Sequence, residues 1–253
     1  MKKIVVLGSG NVAQHLIHAI EANSNLLLVQ AYARNPESLL AILSKDKIIT
    51  NLHNLADADI YILAVSDNAI AEITKDLPFK NRLVAHTSGS SGLDVISNQN
   101  RKAVFYPLQT FSKSKDINFK EVPICLEAEN NADLQILKEI ASSLSKTVYE
   151  ISSSQRKALH VAAVFANNFT NHLYSLAEEI CINNNMDFAI LRPLIAETSD
   201  KIKYLSPIQA QTGPAVRKDT ATIAAHLQFI ENNDTKEIYK LLTKSIIDHV
   251  QKL

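Results

Sequence analysis

The sequence has little of what marks secreted, membrane-spanning or nucleic-acid-binding proteins. Its two cysteines, Cys125 and Cys181, lie far apart and form no CxxC pair, so neither a disulfide framework nor a zinc site is expected. Lys plus Arg equals Asp plus Glu at 26 each, so no net charge attracts nucleic acid or an acidic membrane surface. No run approaches the roughly 18 apolar residues of a membrane span, and IVVLG is too short for a signal peptide. We therefore expect a soluble, cytoplasmic protein that recognises a small molecule.

The first half of the chain alternates short apolar runs with helical patterns. Helices are predicted at 11–22, 69–77 and 131–145, where apolar residues recur at helical spacing. Nearly continuous apolar runs are typical of buried parallel strands, so this alternation predicts an α/β fold with a parallel sheet and right-handed crossovers. The predicted strands are 4–7, 26–32, 60–65 and 83–86, with shorter ones at 103–106, 122–126 and 147–151 that extend or close the sheet.

The second half reads as helical throughout. Long amphipathic patterns run over 153–183, 188–204, 219–231 and 235–252, and strand patterns disappear after residue 151. We predict two domains, 1–151 and 152–253, the second being an all-helical unit of about 100 residues, a typical domain size.

The segment GSGNVA follows the first strand and opens the first helix. In dinucleotide-binding folds, a first glycine permits the tight turn, a second lets the backbone approach the pyrophosphate, and a third small residue packs helix on strand. Gly8, Gly10 and Ala13 occupy these positions. A simple tight turn is the alternative, but the strand and helix on either side favour nucleotide binding.

The end of the second strand, LLLVQAYARN, indicates which dinucleotide binds. An acidic residue there would hold the ribose 2′-hydroxyl of NAD, and none is present. Arg34 stands at this place, followed by Asn35 and Ser38, and a guanidinium can hold the 2′-phosphate of NADP. NADP is therefore favoured over NAD, although Arg34 could instead be a solvated loop arginine.

Two further strand ends are expected at the same edge of the sheet, AVSDN (64–68) and HTSGSSG (86–92). The second is rich in hydroxyls and could contact a nicotinamide through Thr87 or Ser88, or could be an ordinary turn. The residues predicted to bind the cofactor are Gly8, Ser9, Gly10, Asn11, Val12, Arg34, Asn35, Ala64, Val65, Ser66, Thr87 and Ser88.

The long helix that starts at residue 153 carries a polar stripe. One face carries residues at steps of three or four: Lys157, His160, Val164, Asn167 or Asn168, and Asn171. The His160 imidazole could act as a general acid or base, and the amides could position a substrate oxygen. We predict His160, Asn168 and Lys157 as catalytic and Asn167 as substrate-binding, while a role at a subunit interface or in satisfying backbone groups is the alternative.

The late segment TGPAVRKD forms a predicted turn before a helix. Asp219 or Thr220 can cap that helix, which explains the aspartate without a functional role. Arg217 could clamp an anionic substrate, and we predict Thr212 and Arg217 as substrate-binding.

Six segments, GSGNVAQHL, AVSD, HTSGS, FYPLQTF, KALHVAAVFANNF and TGPAVRKD, together resemble a family of Rossmann-like proteins with a helical C-terminal domain of unassigned function. Its members are often labelled NADP oxidoreductases. The layout is distantly similar to pyrroline-5-carboxylate reductase, prephenate dehydrogenase and 6-phosphogluconate dehydrogenase. The resemblance implies an N-terminal Rossmann-type NADP domain, and a helical domain like that of 6-phosphogluconate dehydrogenase that contacts substrate and often forms the dimer.

The FYPLQTF segment departs from this family. Many relatives have His-Pro-Leu-Gln-Thr-Phe where this chain has Tyr106 to Phe111, so a histidine's proton-transfer role cannot be transferred. Tyr106 could still donate a proton or a hydrogen bond, and we predict Tyr106 and Gln109 as substrate-binding.

Two functions remain open. The first is an NADP-dependent oxidoreductase that transfers a hydride to or from a small, anionic carbonyl or imine compound, with His160 and Asn168 facing a crevice between the domains. The second is a non-catalytic NADP(H) sensor or scaffold, since fold alone does not separate the two. The apolar content of the C-terminal helices further predicts a homodimer.

Overall fold

A computed structural model gives the positions of residues 1–113 and 115–250. The chain divides into two compact units, Met1–Asn167 and Asn168–Leu253. The division falls later than the predicted boundary at 151 because helix α5 (Ser153–Ala163) belongs to the first unit. The functional division into 1–151 and 152–253 remains a prediction, and residues 251–253 lie outside the described chain.

The first unit contains an eight-stranded sheet with the spatial order β3-β2-β1-β4-β5-β6-β7-β8. All neighbouring pairs are parallel except β6 and β7, so β7 and β8 run opposite to the other six strands. The predicted α/β fold with a Rossmann-type parallel sheet is confirmed, while the reversal at β7 was not predicted. The strands are β1 (Lys2–Leu7), β2 (Leu26–Tyr32), β3 (Ile48–Ile49), β4 (Ile60–Leu63), β5 (Leu83–His86), β6 (Arg101–Pro107), β7 (Ile124–Ala128) and β8 (Val148–Glu150).

Helices cover both faces of this sheet, which explains why its strands are apolar without alternation. In β1, Ile4 and Val6 belong to one buried cluster and Val5 and Leu7 to a second. Burial on both faces favours continuous apolar runs. The other helices of this unit are α1 (Asn11–Glu21), α2 (Glu37–Leu40), α3 (Asp67–Lys75) and α4 (Asn131–Leu144).

The second unit is helical, as predicted. Its helices are α6 (Thr170–Asn183), α7 (Arg192–Lys201), α8 (Pro207–Ala210), α9 (Thr220–Phe229) and α10 (Asn233–Val250). Asp219 caps α9 by accepting hydrogen bonds from the backbone N–H and hydroxyl of Thr222, so the predicted cap is confirmed. The predicted end of the last helix, at residues 251 and 252, lies outside the described chain.

The predicted single helix from 153 to 183 is wrong in one respect. Its middle, Val164–Phe169, is a π-helix that joins α5 to α6. Hydrogen bonds in a π-helix span five residues, so spacings of three and four residues do not keep side chains on one face through it. The predicted polar stripe therefore follows α-helical spacing only within α5, where Lys157 and His160 lie.

Along the described chain, no helix has both the length and the apolar character that crossing a membrane requires.

Candidate functional site

A cleft of about 620 Å³ opens at the carboxyl ends of β1, β2, β4 and β5. It lies beside the boundary between β1 and β4, where the strand order reverses and where open α/β sheets bind ligands. Of the residues predicted to bind the cofactor, all but Ser88 line it. Gln109, predicted as substrate-binding, and Phe111 line the same cleft.

The first two glycines of GSGNVA serve different purposes in this loop. Gly8 has φ of +136°, and an added Cβ would lie 2.1 Å from the carbonyl oxygen of Ala64, so the close approach of two strand ends requires glycine. An added Cβ at Gly10 would meet nothing within 4 Å. The absence of a side chain at Gly10 therefore leaves the backbone at the start of α1 open to the cleft.

The loop ahead of α1 is held by hydrogen bonds to a single carbonyl oxygen. The Ser9 oxygen accepts from Gln14 Nε2 at 2.7 Å and from the Ser38 hydroxyl at 3.2 Å. The N–H groups of the first turn of α1 have no acceptor within the helix and receive no side-chain cap from Gly10, so they are available to a ligand, and no acidic side chain occupies that turn.

Arg34 stands at the carboxyl end of β2 and is exposed at the cleft. Among the described residues it has no salt-bridge partner. Its neighbour Asn35 accepts a hydrogen bond from the backbone N–H of Glu37 at 3.1 Å, which stabilises the turn into α2. A cation that pairs with no described residue is suited to a phosphate from outside.

A loop after β6 closes one side of the cleft, and the sequence did not predict it. Asn11 Nδ2 donates to the carbonyl oxygen of Phe111 at 2.9 Å, and His15 Nε2 donates to that of Ser112 at 2.9 Å. The Phe111 ring also packs on the His15 ring, with centroids 5.3 Å apart. These contacts fasten the loop to the first turns of α1.

The buried His86 ring holds the HTSGSSG loop through two hydrogen bonds. Its Nδ1 accepts the backbone N–H of Ser88 at 3.1 Å, so Nε2 carries the proton and donates to the carbonyl oxygen of Gly92 at 3.2 Å. Burial lowers the pKa of His86 from 6.5 to about 4, which keeps the ring neutral. Ser88 is buried, and its hydroxyl accepts from the N–H groups of Ser90 and Ser91, so this side chain supports the loop.

Two predicted site residues from distant parts of the chain form a hydrogen-bonded pair. The Tyr106 hydroxyl lies 3.2 Å from His160 Nδ1, and the rings meet edge to face. Burial raises the pKa of Tyr106 above its ordinary value, so the phenol stays protonated and can donate to the imidazole. Gly89 lies against both, since an added Cβ would come 2.6 Å from His160 Nδ1 and 2.9 Å from the Tyr106 hydroxyl.

The other predicted catalytic and substrate residues are not brought into such contacts. Lys157 on α5 and Asn167 in the π-helix are exposed. Asn168, Thr212 and Arg217 are exposed residues of the second unit, the last two between α8 and α9. Their assigned roles remain predictions.

Two family models match the chain. Residues 3–88 match the model described as NADP oxidoreductase, coenzyme F420-dependent, and residues 122–246 match a domain of unknown function, DUF2520. None of the curated proteins matches.

Solved structures extend this similarity over the whole chain. A Bacteroides fragilis protein provisionally assigned as an NADP oxidoreductase is 39% identical, with 98% of each chain covered and a TM-score of 0.88. The pyrroline carboxylate reductase of Plasmodium falciparum, with NADP bound, is 14% identical, with 99% of this chain and 97% of that chain covered and a TM-score of 0.60. Pyrroline-5-carboxylate reductase from Streptococcus pyogenes is 15% identical, with 100% and 99% covered and a TM-score of 0.64. The last two share the fold, and the first shows that this chain belongs to a family of NADP oxidoreductases in which the nucleotide domain precedes a DUF2520 domain.

Proposed function

We propose that this NADP oxidoreductase transfers a hydride to or from a small, anionic carbonyl or imine compound, with the Tyr106–His160 pair providing the proton. The proposal rests mainly on one observation. The Tyr106–His160 pair, hydrogen-bonded at 3.2 Å, packs against Gly89 of the HTSGSSG loop, and Thr87 of the same loop lines the cofactor cleft. A sensor would not need such a pair at this place, so the observation favours an enzyme.

The cleft fits NADP. The open backbone at Gly10 and the N-terminal turn of α1 suit the pyrophosphate, and Arg34 suits the 2′-phosphate that distinguishes NADP from NAD. Val65, Ser66 and Thr87 line the part of the cleft formed by β4 and β5. When bound, NADP(H) supplies or accepts the hydride.

The proton has a defined route among the chain's own residues. When the Tyr106 hydroxyl donates to His160 Nδ1, the imidazole carries its proton on Nε2. Reduction of a carbonyl adds a hydride to the carbon and a proton to the oxygen. His160 Nε2 donates that proton while Nδ1 takes the proton of the Tyr106 hydroxyl, so the imidazole stays neutral and Tyr106 is left as the phenolate. Solvent then reprotonates Tyr106 through the half-buried imidazole, and oxidation runs the same steps in reverse.

The substrate is proposed to be anionic because several exposed cationic and amide side chains have no assigned partner among the described residues. Lys157 and Arg217 are exposed cations, and Asn167, Asn168 and Thr212 are exposed groups that can hydrogen-bond a carboxylate. We assign these residues, with Gln109, to substrate binding or catalysis as the sequence suggests.

The second unit is proposed to form a homodimer. Few of its described apolar side chains are fully buried, and several large ones are exposed, among them Ile182, Ile190, Leu194, Phe229 and Leu241. Exposed apolar surface of this extent is typical of an interface between subunits.

The experiment that tests the cofactor assignment is a fluorescence titration of NADPH and NADH. Wild type should prefer NADPH, and Arg34→Ala should weaken NADPH binding by about 10- to 100-fold, the effect of losing a charge-assisted hydrogen bond, without changing NADH binding. Arg82→Ala is the control, because Arg82 pairs with Asp57 and does not line the cleft. Equal affinities in wild type, or an unchanged preference in Arg34→Ala, would refute the assignment.

A second measurement separates the enzyme from the sensor. NADPH oxidation is followed against a panel of small anionic carbonyl and imine compounds, with His160→Ala compared with wild type. Turnover by wild type that falls by about a hundredfold in the variant, with NADPH affinity retained, supports the enzyme. NADPH binding without turnover on any panel member supports the sensor.

A further inference from the structure

Arg156 is a fully buried cation outside the residues assigned so far. It lies in the first half of α5, and its side chain has 0% exposure. Its Nη1 donates to the carboxylate of Glu127 on β7, and its Nη2 donates to the carbonyl oxygen of Ser91 and to the Ser153 hydroxyl. One guanidinium thus connects three segments that are far apart in sequence: β7, the HTSGSSG loop and the start of α5.

Glu127 also binds the start of α5 directly. Its Oε1 accepts the backbone N–H of Ser153 at 2.9 Å, and its Oε2 accepts the Ser153 hydroxyl at 2.8 Å. We refer to Arg156, Glu127 and Ser153 as the α5 clamp. The clamp fixes where the helix begins on the sheet.

Stability alone does not account for a buried ion pair at this place. Removing two charges from water costs about as much as their attraction returns, and apolar pairs of similar volume often stabilise a fold equally well. The Nε of Arg156 is buried without a hydrogen-bond partner among the described residues, which adds to the cost. A guanidinium donates from two nitrogens in a fixed geometry, so it fixes the relative orientation of the groups it binds better than an apolar contact does.

The groups that the clamp orients are those of the acid-base pair. His160 follows Arg156 by four residues, one turn further along the same helix. The loop that Arg156 holds at Ser91 contains Gly89, which packs against His160 and Tyr106. The Tyr106–His160 hydrogen bond is already 3.2 Å long, so a displacement of a few tenths of an ångström at either the loop or the helix would break it.

We propose that Arg156 and Glu127 are positioning residues, which hold α5 against the HTSGSSG loop and thereby keep His160 in hydrogen-bond contact with Tyr106. The inference rests on the proposed function for the importance of that contact, but the contact itself can be measured without a substrate.

The test follows the imidazole nitrogens of His160 by ¹⁵N NMR in the full-length chain. In wild type, Nδ1 should show the shift of a hydrogen-bonded acceptor and Nε2 that of a protonated nitrogen, and Tyr106→Phe should abolish the acceptor signature. The double variant Arg156→Met with Glu127→Leu removes both charges together, which leaves no unpaired buried charge to unfold the protein. We expect it to fold, to bind NADPH as wild type does, and to lose the acceptor signature.

The control is a second ion pair with a fully buried carboxylate, Arg101 with Asp133. The double variant Arg101→Met with Asp133→Leu should keep the His160 signature. If the clamp variant folds and also keeps the signature, the proposal is overturned. If the clamp variant does not fold, Arg156→Lys decides, because it keeps a cation beside Glu127 but loses the fork that binds Glu127 and Ser91 together: retention of the wild-type signature there overturns the proposal, and its loss supports it.

A negative NMR result can be distinguished from failure of the proposed function. If the wild-type protein does not bind NADPH, the proposed function is refuted, whereas the NMR test of the Tyr106–His160 contact remains valid. Where a substrate is found, the clamp variant should lower turnover by about tenfold or more through misplacement of His160, with little change in the Michaelis constant.

Discussion

The protonation state of His86 should control the stability of the first unit between pH 4 and pH 6.5. The ring is fully buried, and its Nδ1 accepts the N–H of Ser88 while Nε2 donates to the Gly92 oxygen. Protonation of Nδ1 would remove that acceptor and place a charge in a buried site beside the Arg156 guanidinium, and burial, the largest cause, lowers the pKa of His86 to about 4. The substitution His86→Asn removes the titration but keeps one acceptor and one donor.

The sign and size of the effect follow from linkage. In the unfolded chain His86 takes up its proton near pH 6.5, and in the fold only near pH 4. Between these values the unfolded state binds more protons, so the free energy of unfolding rises with pH, and the contribution is complete above pH 6.5. At about 1.36 kcal/mol per pH unit, the interval corresponds to about 3 kcal/mol, lost as the pH falls through this range.

The measurement is urea unfolding of wild type and His86→Asn at pH values across this interval. The difference in free energy of unfolding between the two proteins cancels the contributions of other groups that titrate in this range. This difference should therefore change by about 3 kcal/mol between pH 4 and pH 6.5. His172→Asn, at an exposed position of α6, controls for loss of a histidine as such. Parallel curves for wild type and His86→Asn would refute the reasoning.

Two further expectations concern packing and assembly. Gly8→Ala should lower the free energy of unfolding by about 2 kcal/mol or more in thermal unfolding. The new Cβ would lie 2.1 Å from the Ala64 oxygen, and the backbone φ of +136° is strained for alanine. Gly213→Ala, at φ of +111° with open space, should lose only about 1 kcal/mol, and equal losses would contradict the steric argument. Light scattering should report twice the chain mass of 28.0 kDa, and a monomer at micromolar concentration would contradict the proposed dimer.

The parts of the fold that were predictable from the sequence carry local signals. Strands β1 and β4 are buried on both faces, and their apolar runs are therefore unbroken. Gly8, Gly10 and Ala13 stand between a strand and a helix, a context that is itself readable. The edge of the sheet at which the cleft opens follows from these elements, because parallel strands end at the same edge.

What could not be predicted depends on contacts without a local signal. An apolar run does not encode its direction, so the antiparallel β7 looked like any other strand. The residues of the π-helix at 164–169 carry no local signal that separates it from the α-helices on either side. Tyr106 and His160 were each singled out, but residues 54 apart give no sign in a single sequence that they meet. The sequence gives no sign that Arg156 is buried, because its partners, Glu127 and Ser91, are 29 and 65 residues away.

The Asn11 side chain shows how such a distant contact alters the meaning of a motif residue. The GSGNVA pattern predicts that Asn11 meets the cofactor through its backbone, as part of the first turn of α1. The structure uses its side chain for the Phe111 carbonyl oxygen, 100 residues away and 2.9 Å distant, so the residue joins the glycine loop to the opposite wall of the cleft. We therefore expect Asn11 to support cofactor affinity by holding that wall, beyond any contact its backbone makes.

The substitution Asn11→Ala should weaken NADPH binding by about fivefold, since a neutral hydrogen bond contributes about 1 kcal/mol net. NADH binding should weaken by the same factor, because the tether does not distinguish the two cofactors. The loss should also be insensitive to salt, whereas the preference lost in Arg34→Ala should shrink as salt screens the phosphate contact. Asn23→Ala is the matched control, because its amide also donates to a distant carbonyl oxygen, that of Ser143, and Asn23 does not line the cleft. An Asn11→Ala variant with wild-type affinity for both cofactors would show that the wall at Phe111 closes without this tether.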